Sequence, residues 1–144
     1  MKKEIVERFV KDGQLRPRGI DVERIKSMLK SSEMTAKAAL EIQLDENRAT
    51  MVFRELYEST RQLGDVLWWL EGYEPRNHEV SLEILEEVKI KNAVLLNKLP
   101  RFKKIRNDAN YRGYIVPINQ AEEIKEFWKN CGKEIVDNIM SRLR

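Results

Sequence analysis

Apolar residues recur at spacings of three and four along most of the chain, and this period constrains the fold more than any other feature. In the middle of the chain the spaced set is Val52, Phe53, Leu56, Thr60, Leu63, Leu67 and Leu70. Such spacing places one largely apolar stripe on a helix, and that stripe must be buried against other elements. Strict apolar–polar alternation, which predicts strands, does not occur. The sequence therefore predicts an all-α protein.

Capping and breaking residues divide the chain into helices. The predicted segments are an amphipathic stretch over 1–11, a helix capped by Asp21 and ending near Gln43, one capped by Asp45 or Asn47 and ending at Gly72, one from Asn77 through Val88, one over 94–111, and a last helix capped by Asn119. Pro100 either kinks the fifth of these segments or starts its second half. Short connections favour antiparallel neighbours. We predict an up-and-down antiparallel bundle of four main helices plus a short additional helix.

Length and composition favour one domain over residues 1–144. The chain is 35% charged and 42% hydrophobic, with few glycines and prolines, a usage typical of helical globular proteins. It contains no apolar run long enough for a membrane span, and residues 1–4 lack the apolar region of a signal peptide. A single cysteine, Cys131, fits a reducing compartment. These features predict a cytoplasmic protein without a membrane partner.

Positive charge is concentrated between positions 98 and 113. This stretch holds six basic residues against one acidic residue, whereas the whole chain has a net charge of +3. The basic residues are Lys98, Arg101, Lys103, Lys104, Arg106 and Arg112, and the acidic one is Asp108. A basic patch raises the local concentration of phosphates and other anions. A solvated helix face without any ligand has the same composition, so both interpretations stay open.

Other chemistries find little support. One His and one Cys cannot supply the ligands of a transition-metal site, and no Gly-rich phosphate loop is present. We predict neither a metal nor a cofactor. His78 lies in the first turn of a predicted helix, where a surface role is favoured over catalysis. Cys131 is predicted to be a small, partly buried side chain that fills space in the core. Trp68 and Trp69 are 100° apart on a helix, so we expect one in the core and the other at a boundary.

The run Arg106-Asn107-Asp108-Ala109-Asn110-Tyr111 resembles the signature of HEPN domains (higher eukaryotes and prokaryotes nucleotide-binding). Residues 56–63 and 70–79 also resemble a helix and the following turn of prokaryotic HEPN proteins, and the similarity covers roughly residues 22–128. The family pattern is an Arg, a polar residue, three further residues and a His. Arg106 and Asn107 match this pattern, but Tyr111 stands at the His position.

The resemblance implies a homodimer whose shared cleft binds RNA or nucleotide. In many family members the 2′-hydroxyl attacks the adjacent phosphate without a metal, while His moves protons and Arg stabilises the phosphorane. A phenol, with an ordinary pKa near 10, is a poor base at neutral pH. We therefore retain binding and discount catalysis. The predicted binding residues are Arg101, Lys103, Lys104, Arg106, Asn107, Asp108, Asn110, Tyr111, Arg112 and Tyr114, of which Arg106 and Tyr111 are the catalytic candidates.

Three functions remain open at this point. The first is a HEPN-like dimer that binds RNA or nucleotide, and the second is a metal-independent ribonuclease of the toxin type. The third is a helical partner of a minimal nucleotidyltransferase, as some family members are in toxin–antitoxin systems. In a subset of these a Tyr two residues after the His is modified; Gly113 holds that position here, with Tyr114 one residue further. A purely structural role for the motif, as a helix cap and salt bridge at a dimer seam, is the competing interpretation. On an ideal helix Arg106 and Tyr111 lie about 140° apart, so their convergence requires a loosened helix or a second subunit.

Overall fold

The computed structural model of the protein describes residues 1–143, and helices account for most of them. The helices are α1 Lys3–Lys11, α2 Val22–Glu41, α3 Ala49–Leu70, α4 His78–Leu85, α5 Leu99–Tyr111, α6 Ile118–Phe127 and α7 Lys133–Arg142. A 3₁₀ segment, Ala93–Lys98, leads into α5, and a π-helical segment, Trp128–Gly132, joins α6 to α7. The predicted helical character is confirmed for the described residues. None of these helices is both long enough and apolar enough to cross a membrane.

Local capping signals predicted several helix ends correctly. The Asp21 carboxylate accepts the backbone N–H of Arg24 at 3.0 Å, and Asn77 accepts the N–H groups of Glu79 and Val80 at 3.1 and 3.2 Å. Gly72 follows α3 with a positive φ of 88°, a conformation that lets glycine end a helix. Each of these contacts satisfies backbone groups that a helix end leaves unpaired.

Three details of the helices in the second half of the chain differ from the prediction. α4 ends at Leu85 rather than at Val88, and α6 begins at Ile118, so Asn119 lies inside α6 and does not cap it. Pro117 takes the extended conformation that precedes the first helical residue. The last helix is also interrupted by the π-helical segment, where a Cβ on Gly132 would lie 2.5 Å from the Trp128 ring.

A small antiparallel sheet is the one departure from a purely helical fold among the described residues. β1 Leu15–Pro17 pairs with β2 Tyr73–Pro75, with Leu15 opposite Pro75. The sequence analysis predicted only chain breaks there, because three-residue strands are too short to show alternation. The sheet ties the segment after α1 to the end of α3.

α3 is the central helix, and it packs against α2, α4, α5 and α6. Three core aromatic rings link α3, α5 and α6: Phe53 lies 5.8 Å from Phe102, which lies 5.4 Å from Phe127. Trp68 and Trp69 are both buried, on different sides of α3. The prediction that one of them lies at a boundary is therefore wrong. A helix surrounded on several sides buries both residues of an adjacent pair.

Candidate functional site

α5 carries the predicted site on the side that faces away from its buried stripe. Leu99, Phe102, Ile105 and Ala109 anchor the helix in the core. The helix continues through Tyr111, and Gly113 then turns the chain with a positive φ of 68°. Tyr114 N–H donates to the Asp108 carbonyl at 3.1 Å, which closes the helix end. The motif therefore lies on an intact helix with a defined end.

Arg106 lies between two aromatic rings. Its guanidinium carbon is 5.7 Å from the Tyr57 ring centre and 5.9 Å from the Tyr111 ring centre. Both distances are within the range of cation–π attraction. Arg106 and Tyr111 thus come together within one subunit and without a loosened helix, contrary to the sequence-based geometry. The long arginine side chain spans the angle that separates the two positions.

Arg106 has no carboxylate within ion-pair distance among residues 1–143; its described polar contact is a 3.1 Å hydrogen bond from Nη1 to Asn107 Oδ1. The other basic residues of the run all have carboxylate partners. Lys98 and Arg101 pair with Glu123, Lys103 with Glu79, and Lys104 and Arg112 with Asp108. Glu79 of α4 and Glu123 of α6 therefore reduce the local excess of positive charge from +5 to +3, since Asp108 is already part of the run. The half-buried guanidinium of Arg106 therefore has N–H groups that can bind an anionic ligand.

A buried ionic cluster adjoins Arg106 on α3. Arg61 hydrogen-bonds Glu58 through two nitrogens and Asp65 Oδ2 at 2.7 Å, and Ser81 of α4 donates to Asp65. The hydrogen bond from Arg61 lowers the pKa of Glu58, whereas burial raises the pKa of Asp65. Burial also raises the pKa of Tyr57 to about 12. Tyr57 is therefore a neutral phenol at physiological pH and cannot act as a base there.

His78, at the start of α4, lies near the same surface. Lys103 Nζ is 2.9 Å from Glu79 Oε1, so the first turn of α4 meets α5 one turn before Arg106. Partial burial of its ring lowers the pKa of His78 below its ordinary value of 6.5, and the cations of Arg61 and Arg106 lower it further against the opposing effect of the Glu58 and Asp65 carboxylates. The imidazole is exposed, as predicted, but the sequence analysis did not connect it with Arg106. Nothing in the local sequence links two positions that are brought near each other because α4 and α5 both pack on α3.

The electrostatic link between His78 and Arg106 can be measured directly. We expect Arg106→Ala to raise the pKa of His78 towards its ordinary value, because removing a nearby cation favours the imidazolium form. His78 is the only histidine in the chain, so an NMR pH titration gives one imidazole curve. Arg8→Ala removes an exposed cation from α1 and should leave that curve unchanged. An unchanged curve in Arg106→Ala would show that the two groups do not interact.

The remaining predicted residues divide into two groups. Asn110 and Tyr111 are exposed beside Arg106, and Tyr111 is 75% exposed. Arg101 and Tyr114 contact α6 instead: Arg101 pairs with Glu123, and the Tyr114 hydroxyl donates to Gln120 Oε1 at 3.0 Å. The structure thus brings together Arg106, Asn107 and Tyr111, while several other members of the predicted set make intramolecular contacts.

Two further side chains bear on the chemistry. Cys131 is fully buried, and burial raises its pKa to about 11, so it is a thiol that fills the core. Within the described part of the chain, no group of three or more His, Cys, Asp or Glu side chains is arranged to hold a metal ion. The arrangement around Arg106 can therefore offer a cation and the exposed ring of Tyr111 to a ligand, with the His78 imidazole nearby, while the Tyr57 ring is buried beneath the guanidinium.

Comparison with protein-family models, with curated proteins and with solved structures finds no match to this chain. The resemblance to HEPN domains accordingly stays a prediction from the quoted motif.

Proposed function

We propose that the protein is a HEPN-like RNA- or nucleotide-binding protein whose phosphate ligand contacts Arg106. The observation that carries this proposal is the half-buried guanidinium, which lies between Tyr57 and Tyr111 without a carboxylate partner in the described chain. A planar guanidinium binds phosphate through paired N–H donors, and its packing against rings reduces its freedom before the ligand arrives. The exposed Tyr111 ring can stack on a nucleobase.

The proposed assembly is a homodimer with this surface at its centre. Tyr111 and Ile115 are 75% and 74% exposed, and Met51 is 44% exposed. Val116 N–H donates to Thr50 Oγ1 at 3.0 Å, which places Met51 beside the segment after α5. A second copy that covered these apolar side chains would bring two Arg106 residues to one cleft.

The finer topology we propose is an up-and-down bundle of α2, α3, α5 and the α6–α7 rod, with α4 as the short addition.

Replacing Arg106 tests the proposal. We expect Arg106→Ala to bind a short single-stranded RNA about tenfold more weakly, because the ligand phosphate loses a charge-assisted hydrogen-bonding partner. The variant should stay folded, with a loss of stability of no more than about 1–2 kcal/mol from the cation–π contacts with Tyr57 and Tyr111. Fluorescence anisotropy measures binding, and Arg8→Ala on α1 serves as the matched arginine control. Equal RNA affinity in Arg106→Ala and in the unmodified protein would remove the proposal.

A metal-independent ribonuclease is the second candidate, and the position of His78 favours it. The imidazole accepts the proton of a 2′-hydroxyl as that oxygen attacks phosphorus. The bond between phosphorus and the 5′-oxygen breaks, the 5′-oxygen takes a proton from water, and a 2′,3′-cyclic phosphate forms. We expect any cleavage in EDTA to be lost in His78→Ala while RNA binding remains. Absence of cleavage between about pH 6 and 9, which brackets the acid and base forms of an imidazole, excludes this candidate.

A role in a toxin–antitoxin system, with a minimal nucleotidyltransferase as partner, also stays a proposal. The ion pairs of α5 with Glu79 and Glu123 offset two of the five excess positive charges that an acidic partner would meet. Co-purification with the product of a neighbouring gene tests this possibility separately from RNA binding.

A further inference from the structure

A long groove runs between α2 and α7, on a surface distinct from the Arg106 site. α2 packs mainly on α3, and it makes little contact with α7. Two cavities of about 550 and 380 Å³ fill the space between them, and Glu33 lines both. The groove therefore extends along α2 at least from Lys26 to Lys37, a rise of about 16 Å or three helical turns.

The floor of this groove is apolar and adaptable. Leu29, Leu40, Trp128 and Val136 line its base. Two methionines lie along it with large exposed fractions: Met34 is 62% exposed and Met140 is 43% exposed. Methionine side chains are flexible and polarisable, and they are frequent where a surface receives apolar side chains from a partner. Two exposed methionines above a leucine and tryptophan floor are typical of such a surface.

The borders of the groove are basic. Five lysines line it against two carboxylates, those of Glu33 and Asp137. The lysines are Lys26, Lys30, Lys37, Lys129 and Lys133. Lys129 pairs with Glu126 at 3.6 Å, whereas the other four have no ion-pair partner within residues 1–143. These unpaired cations on both borders are complementary to acidic side chains that flank an apolar stripe.

We infer that this groove binds an acidic amphipathic helix of a partner protein. A helix that lies between two others fills such a space with side chains at positions i, i+3 or i+4, and i+7, and three turns provide about three anchors. Acidic residues on either side of those anchors would meet Lys30 and Lys37 on α2 and Lys133 on α7. This inference does not depend on the proposed function of Arg106.

A selection experiment tests the inference. Helical peptides of about 20 residues, randomised on all faces and displayed with their coding nucleic acid, are selected against the full-length protein. We expect enrichment of peptides with an apolar i, i+3 or i+4, i+7 stripe bordered by Asp and Glu. Those peptides should bind Lys30→Glu/Lys133→Glu and Met34→Glu/Met140→Glu at least about tenfold more weakly. The first variant replaces two basic side chains at the borders by acidic ones, and the second places charge in the apolar part of the groove.

Controls separate this groove from other surfaces and other occupants. Lys2→Glu/Lys11→Glu makes the same change in net charge at exposed positions just before α1 and at its end, and should bind the peptides normally, as should Arg106→Ala. Circular dichroism melts verify that every variant is folded. Three results would overturn the inference: no enrichment of acidic amphipathic peptides, equal binding by the groove variants, or occupation of the groove by something else. Self-association of the protein that is abolished in Met34→Glu/Met140→Glu would show that a second copy occupies the groove. Binding of dodecanoate or anionic vesicles would show a lipid occupant if the same variant abolishes that binding and the selected peptides do not compete with it.

Discussion

Replacing Gly64 with alanine is expected to destabilise the protein by about 3 kcal/mol or more, a loss typical of severe overpacking in a core. Gly64 lies on α3 where α4 crosses it, and an added Cβ would be 2.0 Å from the Ser81 carbonyl oxygen and 2.7 Å from its carbon. Backbone atoms cannot rotate away as a flexible side chain can. α4 would have to move outward, which would weaken the 2.7 Å hydrogen bond from Trp68 Nε1 to the Val80 carbonyl.

Urea unfolding followed by circular dichroism measures this loss. Gly19→Ala is the matched control, because a Cβ at Gly19 meets no atom within 4 Å. An unfolding free energy of Gly64→Ala close to that of the unmodified protein would show that α3 and α4 are further apart than described. The variant also bears on function, because α4 carries His78. If α4 moves outward, the pKa of His78 should shift towards its ordinary value as the imidazole leaves the cations of Arg61 and Arg106.

The helices could be predicted from sequence because their signals are local. Asp21 and Asn77 cap helices by reaching N–H groups two or three residues away, and Gly72 ends α3 through its own backbone conformation. Such interactions are contained in a few consecutive residues, so pattern and propensity are enough to find them. The same holds for the end of α5 at Tyr111.

The ion pairs and the composition of the site could not be predicted, because they depend on packing between distant segments. Glu123 and Glu79 come from α6 and α4, yet they offset the charge of Arg101 and Lys103 on α5. His78 lies near Arg106 because α4 and α5 both pack on α3. The β1–β2 sheet likewise joins residues that lie almost sixty positions apart in the sequence. Each of its strands has about three residues, which is too short for an alternating pattern to be visible. A sequence pattern of charge therefore overestimated the basic surface.

Removing Arg61 is the second change from which we expect a large effect. The Arg61 side chain is only 12% exposed, and it separates the carboxylates of Glu58 and Asp65. Arg61→Ala leaves both negative charges in a partly buried site without their cation. Removing one partner of a buried ionic group costs about 3–5 kcal/mol, because the remaining charge keeps its desolvation penalty. We expect a loss of this size in urea unfolding at neutral pH.

A second variant distinguishes loss of the cation from loss of packing. Arg61→Met retains much of the side-chain volume but not the charge, so it should remain strongly destabilised, whereas Glu58→Gln/Arg61→Met/Asp65→Asn removes all three charges and should recover much of the stability. Recovery in Arg61→Met alone would mean that the cluster acts through packing and not through charge.

The pH dependence of the Arg61→Ala loss follows from the two carboxylates. In the unmodified protein, the lowered pKa of Glu58 contributes stability that is present above its unfolded pKa and is lost as pH falls through the folded pKa. The raised pKa of Asp65 has the opposite sign: its contribution is present below the unfolded pKa and is lost as pH rises through the folded pKa. Without the Arg61 cation, the folded pKa of each carboxyl rises, because both groups lose an interaction that favours the ionised form. The difference in unfolding free energy between Arg61→Ala and the unmodified protein should therefore be largest at neutral pH. It should shrink as pH falls through the raised pKa values of the two carboxyls in the variant, because protonation removes the charges that the variant leaves unpaired. A difference that stays constant from neutral to acidic pH would contradict an ionic role for Arg61.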